Sequence, residues 1–307
     1  MWADMSLDAR SLALFRVALA GVLLIEHLWC LGDAITFLGD AGLLPRYTVL
    51  QHILAAEPYR WSIYFFNGSA EAVYFLYAVH AGALMALLVG WRARTAAAVA
   101  FFMHTSQHNR NEITRHAFDF LSAGLLFWCT QLPIGATCSI DALQSRLRPL
   151  ASPGARVRLV GAAPPVDARA MRVPCSLATF ALWVQVWVVY FGAISAKKDR
   201  AWLTDFSALH LSLQIGYITR PSAVWLLGHP GLLRVATWLT RPIEYVLPVL
   251  LYAPTPAALG PWPRLIGVFG LVGFHAGIAY TMQLGIIPWI NMAATLPFIP
   301  AAAWSRP

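Results

Sequence analysis

The stretch SLATFALWVQVWVVYFGAISAKKDRAW, residues 176–202, decides how this chain reads. From Ser176 to Ala196 it carries no charged side chain, and then Lys197 and Lys198 arrive together. A run of about 20 such residues is the length of helix that crosses a hydrocarbon core roughly 30 Å thick. Lysine is costly at membrane depth, and an amine at an apolar boundary can lose its proton near neutral pH and act as a base. No other lysine occurs in the chain. The rest of its 22 basic side chains are arginines, which stay charged and serve as anchors or clamps. The plainer reading of Lys197 is a side chain that snorkels to the interface.

The remainder of the sequence sets the same class. Of 307 residues, 59% are hydrophobic and only 12% charged, against about 25% charged in a soluble domain. With a mean hydropathy of +0.60 this predicts an integral membrane protein. The expected fold is an all-α polytopic bundle of about eight spans, a single domain over residues 1–307. The spans fall near 12–31, 72–91, 95–108, 116–133, 176–196, 232–253, 265–285 and 286–304. The sixth is interrupted by Arg241, Pro242 and Glu244. The net charge of +8 is spread through loops and forms no basic block, which argues against a nucleic-acid partner. Cys30, Cys129, Cys138 and Cys175 show no metal-type spacing, so neither a required disulfide nor a structural metal is expected. The first run starts near Leu12 and lacks a small-residue cleavage site, so it reads as a retained span.

Segment 32–71, with Tyr59, Trp61, Tyr64, Phe65 and Phe66, suits a re-entrant or headgroup position. Segment 199–230 reads as an amphipathic surface helix. Loop 134–175 holds Arg146, Arg148, Arg156, Arg158, Arg169 and Arg172, and the turn after the second span holds Arg92 and Arg94. Arginine-rich loops mark the cytoplasmic side, which puts the N-terminus there too. The polar features at 32–71, 105–115 and Lys197 then share the opposite, exoplasmic face.

The string HTSQHNRNEITRHAFD, residues 104–119, is a polar knot between apolar runs. It supplies His104, His108, Asn109, Asn111, Glu112, His116 and Asp119. Buried polar groups must be paired, so the knot is either a mutually satisfied plug or a ligand site. His104 and His108 share a helix face, as do His108 and Glu112, but the order is not HExxH and no metal is expected. Among intramembrane ionisable groups, Arg16 and Asp119 form one possible pair, Arg241 and Glu244 another. His80 and His275 read as hydrogen-bonded core residues.

The segments DARSLALFRVALAGVLL (8–24), DAGLLPR (40–46), NRNEITRHAFD (109–119), LPIGATCSID (132–141) and YFGAISAKKDRAW (190–202) together resemble the HTTM family. That family shares its membrane domain with vitamin K-dependent gamma-glutamyl carboxylase. The matching positions are Arg16, Asn111, Asp119, Asp141, Tyr190, Lys197 and Trp202. The resemblance implies a lysine base that deprotonates a reduced, vitamin K-like quinone. Counting from Tyr190 gives Lys197, with Lys198 one step further. It also implies that Arg16, Asn109, Asn111, Asp119, Tyr190 and Trp202 shape the cofactor site, and that His108 and Glu112 assist catalysis.

Two departures bear on the activity. Glu112 stands where the carboxylase has its functional histidine, leaving His108 or His116 as substitutes. The carboxylase's large lumenal region has no counterpart before Pro307, so a peptide substrate would need a partner protein supplying that part. Three functions are therefore expected in turn. The first is a carboxylase- or epoxidase-like enzyme (a lyase or oxidoreductase), acting on a quinol or other small apolar substrate at the exoplasmic face, with oxygen or carbon dioxide as co-reactant. The second is a non-catalytic membrane component for maturation or export of a secreted peptide, and the third a small-solute transporter. The expected location is a bacterial inner membrane.

Overall fold

Long apolar runs in this chain become helices because lipid cannot satisfy a bare peptide group. The computed structural model describes residues 5–53, 55, 57–148, 171–252 and 259–304. Its helices are α1 (Ala9–Trp29), α2 (Ala34–Leu38), α3 (Arg46–Thr48), α4 (Ala70–Val89), α5 (Ala93–Arg110), α6 (Ala117–Gln131) and α7 (Ile140–Leu147). They continue as α8 (Leu177–Ala196), α9 (Arg200–Leu203), α10 (Ala208–Leu213), α11 (Pro230–Tyr252), α12 (Trp262–Thr281) and α13 (Ile287–Thr295). One antiparallel pair, β1 (Leu7–Asp8) with β2 (Arg172–Val173), joins Leu7 to Val173 and Asp8 to Arg172.

Among the described residues, four stretches are long and apolar enough to cross a membrane: Ala9–Leu38, Ala70–Val89, Leu177–Ala196 and Trp262–Thr281. Of the eight expected spans, four meet this measure of length and composition among the described residues. The others are helices that fall short. The 15 residues of α6 rise about 22 Å at 1.5 Å each, less than the core thickness. The nine residues of α13 give way to 3-10 turns at Leu296–Phe298 and Ala301–Trp304. Helix α5 ends in the polar knot, and α11 carries Arg234, Arg241 and Glu244. Outward faces of the long helices are apolar: Tyr74, Phe75, Met85 and Val89 of α4 are exposed. Such a face is an ordinary surface only where the solvent is lipid.

Segment 32–71 is a chain of short turns and helices, and its aromatic cluster divides, with Tyr64 buried and Tyr59 and Phe66 exposed. Segment 199–230 forms no long amphipathic helix, contrary to expectation. Ser207, Gly216 and Pro221 punctuate it into α9, α10 and a 3-10 stretch, Pro221–Gly228. Leu213 and Ala223 then pack with Leu233 in a small core. The expected loop arginines Arg156, Arg158 and Arg169 lie outside the described residues.

The chain divides into two compact units, Arg16–Pro164 and Met1–Phe15 with Pro165–Pro307. In the first, α5 packs between α4 and α6. Its anchor is Arg16, fully buried at 0% exposure. Arg16 does not pair with Asp119. It donates to four carbonyls instead: Leu87 at 2.7 Å, Leu88 at 2.6 Å, Ile134 at 3.1 Å and Cys138 at 2.6 Å. Leu87 and Leu88 lie in the last turn of α4, where carbonyls run short of helical donors and carry the negative end of the dipole. Gly90 caps that helix at φ 72°, where a Cβ would sit 2.4 Å from Ser139 and 2.8 Å from Arg16. Asp141 accepts from the backbone of Arg92 at 2.7 Å and Ala93 at 2.8 Å, which starts α5. Arg16, Gly90 and Asp141 therefore tie helix ends together within this unit.

In the second unit α11 and α12 lie close. A Cβ at Gly267 would meet the Leu247 carbonyl at 2.9 Å, and one at Gly270 would meet the Leu247 side chain at 2.8 Å. Small residues at such a contact let helices approach in lipid, where packing rather than water exclusion drives association. Helix α8 packs against α11, with the Tyr252 hydroxyl donating to the Trp183 carbonyl.

Candidate functional site

The buried face of α8 runs through Thr179, Trp183, Val186 and Tyr190. Lys197 follows Tyr190 by seven residues, two helical turns, and so stays on that face as the helix ends. Its Nζ donates to Glu244 Oε1 at 2.9 Å and Oε2 at 2.7 Å, and to the Ala193 carbonyl at 3.2 Å. The side chains are 16% and 8% exposed. The ammonium also lies 5.3 Å from the centre of the Trp202 ring, a cation–π distance. Lys198 is exposed. Of the two lysines, Lys197 is the one turned inward and engaged.

Glu244 lies on the inner face of α11 with Thr237, Thr240 and Pro248. The expected Arg241–Glu244 pair is replaced by Lys197–Glu244, because the inward face brings Glu244 to the end of α8. Tyr190 and His275 complete the group: the tyrosine hydroxyl and His275 Nε2 are 3.0 Å apart, both buried. The other ring nitrogen of His275, Nδ1, has no protein partner. An amine, a carboxylate, a phenol and an imidazole thus stand together on α8, α11 and α12. Such a set can pass protons and orient a hydroxylated ligand.

The knot lies in the other unit, and its C-terminal half is bonded into the surrounding fold. Asn111 donates from Nδ2 to the Phe37 carbonyl at 2.9 Å and accepts from the Ile113 amide at 2.9 Å. Arg110 donates to the Leu44 carbonyl at 2.8 Å. Burial lowers the Arg110 guanidinium from its ordinary value, with Asp40 opposing the shift. Glu112 meets Arg60 at 3.1 Å, and Arg60 also donates to the Asn109 carbonyl at 2.7 Å. These bonds tie Phe37, Leu44 and Arg60 of segment 32–71 to the end of α5. Beside them lies an open cavity of about 490 Å³ lined by Glu57, Tyr59, Arg60, Trp61, Asn109 and Arg115. His108 and Asp119 face each other across α5 and α6 at 3.2 Å. Behind them come His104, His80 and His27, with His80 bonded to Gln107 and His27 to the Tyr77 carbonyl.

The expected site residues therefore divide. Lys197, Tyr190 and Trp202 lie together in one unit, with Lys198 exposed beside them. His108, Asp119, Asn109, Asn111, Glu112 and Arg16 lie in the other. Sequence reasoning missed Glu244 and His275 as members of the lysine group. Both stood out as ionisable residues in apolar runs, but nothing in the spacing says which helix faces which. Comparison with protein-family models, with curated proteins and with solved structures finds no match.

Proposed function

We propose that this protein is an enzyme-like membrane protein of the HTTM type, in which Lys197 takes a proton from a quinol or another small apolar hydroxyl compound. The observation that carries this reading is the Lys197–Glu244 contact at 2.7 Å in a largely buried setting. Burial makes charge separation costly, which favours passing the lysine proton to Glu244. Glu244 gives the lysine proton a second station. With the proton on Glu244, the neutral amine accepts one from the substrate hydroxyl and leaves an oxyanion beside an ammonium. The buried Nδ1 of His275 suits a hydrogen bond to such a hydroxyl. A bound quinol would supply the redox chemistry; Lys197, Glu244, Tyr190 and His275 would hold and move its proton. Mass spectrometry of lipids co-purified with wild type and with Lys197→Ala tests the reading. A quinone enriched in wild type and reduced in the variant is expected. Bulk phospholipid alone in both would contradict it.

A second reading, a non-catalytic component for maturation or export of a peptide, draws on the satisfied bonds of Asn111. If the knot only holds the bundle, Asn111→Ala should lower stability by about 2–3 kcal/mol, through two lost buried hydrogen bonds. Thermal unfolding in detergent reads this. The peptide reading adds that removing Lys197's basicity leaves peptide maturation unchanged in a cell-based assay.

A further inference from the structure

We infer that His104, His108 and Asp119 form a binding site for one divalent first-row transition-metal ion, held by two imidazoles and one carboxylate. The site involves neither Lys197 nor Glu244 and does not depend on their role.

The geometry comes from one helical hairpin. His104 and His108 are one turn apart on α5, and their ring centres are 4.4 Å apart. The chain reverses through residues 111–116, and the first turn of α6 brings Asp119 back to them. One ligand atom from each of the three lies within 4.8 Å of the others. His108 Nδ1 and Asp119 Oδ2 are 3.2 Å apart. Metal bonds of about 2.0–2.2 Å set neighbouring ligand atoms roughly 3.0–3.6 Å apart, so this pair already has the spacing of two ligands on one ion.

A plain ion pair between His108 and Asp119 accounts for less. His104 is only 3% exposed, yet its Nε2 has no protein partner. A buried polar atom left unbonded is costly, and an ion would satisfy it. The Asp119 carboxylate is also fixed in place, because its Oδ2 accepts the His116 amide at 2.6 Å. Hydrogen bonds of this kind aim a ligating carboxylate. Glu26 of α1 lies within electrostatic range of both His108 and Asp119. Imidazole and carboxylate without thiolate suit zinc, manganese or iron(II) rather than copper(I). Three protein ligands leave coordination positions open, as in sites that bind a small reactant.

The test uses the full chain in detergent, stripped with chelator and titrated with cobalt(II) and then zinc. One cobalt per chain with visible d–d bands, displaced by zinc, is expected. His108→Gln and Asp119→Asn, from different helices, should each weaken binding by more than about 100-fold, since loss of a mere outer partner costs 10–100-fold. His52→Gln, an exposed histidine in the same unit, should change nothing. Wild type that takes up no stoichiometric cobalt overturns the proposal, as does unchanged binding in both folded variants. Where a variant fails to fold, zinc protection of the part-exposed His108 from diethylpyrocarbonate in wild type decides. A His108 ring that reacts equally with and without zinc overturns the proposal.

Discussion

Arg16→Ala is expected to unfold the first unit or lower its stability by at least about 3 kcal/mol. Four charge-assisted hydrogen bonds end on its guanidinium, each worth roughly 1.5–3 kcal/mol before desolvation is set against them. The carbonyls at Leu87, Leu88, Ile134 and Cys138 would each lose the guanidinium donor, that of Leu87 keeping the Gly90 amide at 3.1 Å. Arg16→Lys should recover only part of the loss, because an ammonium offers three donors on one point and lacks the planar fork. Thermal unfolding of the detergent-solubilised protein, with helicity as the signal, measures both. Alanine tolerated at Arg16 would remove this clamp from the account of the fold.

The second large effect concerns Lys197 and Glu244. Lys197→Met leaves a buried carboxylate without its partner, and Glu244→Gln leaves a buried ammonium without its own. Each single change should cost about 3–5 kcal/mol, reduced where the orphaned group neutralises itself. The double variant Lys197→Met/Glu244→Gln should be more stable than either single variant, since no uncompensated charge remains. A double-mutant cycle by thermal or denaturant unfolding gives the coupling directly. Additive losses would mean that the two side chains do not share one proton-bearing contact.

Much of the architecture follows from apolar runs, because lipid forces each run into a helix. The run read at 176–196 is helical over Leu177–Ala196, and that at 72–91 over Ala70–Val89. The sixth run shows where such reading stops. Arg241, Pro242 and Glu244 looked like an interruption, yet α11 is continuous through them. Pro242 forfeits one backbone bond, and Glu244 turns inward to Lys197. Contact partners were harder to read. Charge alone matches Arg16 with Asp119, whereas the partners of Arg16 are carbonyls, which no residue letter reveals. Glu244 meets Lys197 across 47 positions, and only packing of α8 on α11 brings them together. The knot was legible as a polar cluster but not as two halves, one bonded into the fold and one holding His104, His108 and Asp119.

The most direct test of the proposed function is the oxidation of a short-chain quinol under air, followed at the quinone absorption band. A quinolate loses electrons to oxygen faster than a quinol, so a base that removes the proton speeds the reaction. General-base catalysis typically contributes about 10²–10⁴-fold, and wild-type protein should accelerate the reaction on that scale. Lys197→Arg keeps the positive charge beside Glu244 but cannot accept a proton, so it should lose the acceleration while remaining folded. Lys198→Arg should keep it. No acceleration by wild type, or equal rates in wild type and Lys197→Arg, would contradict the role given to Lys197.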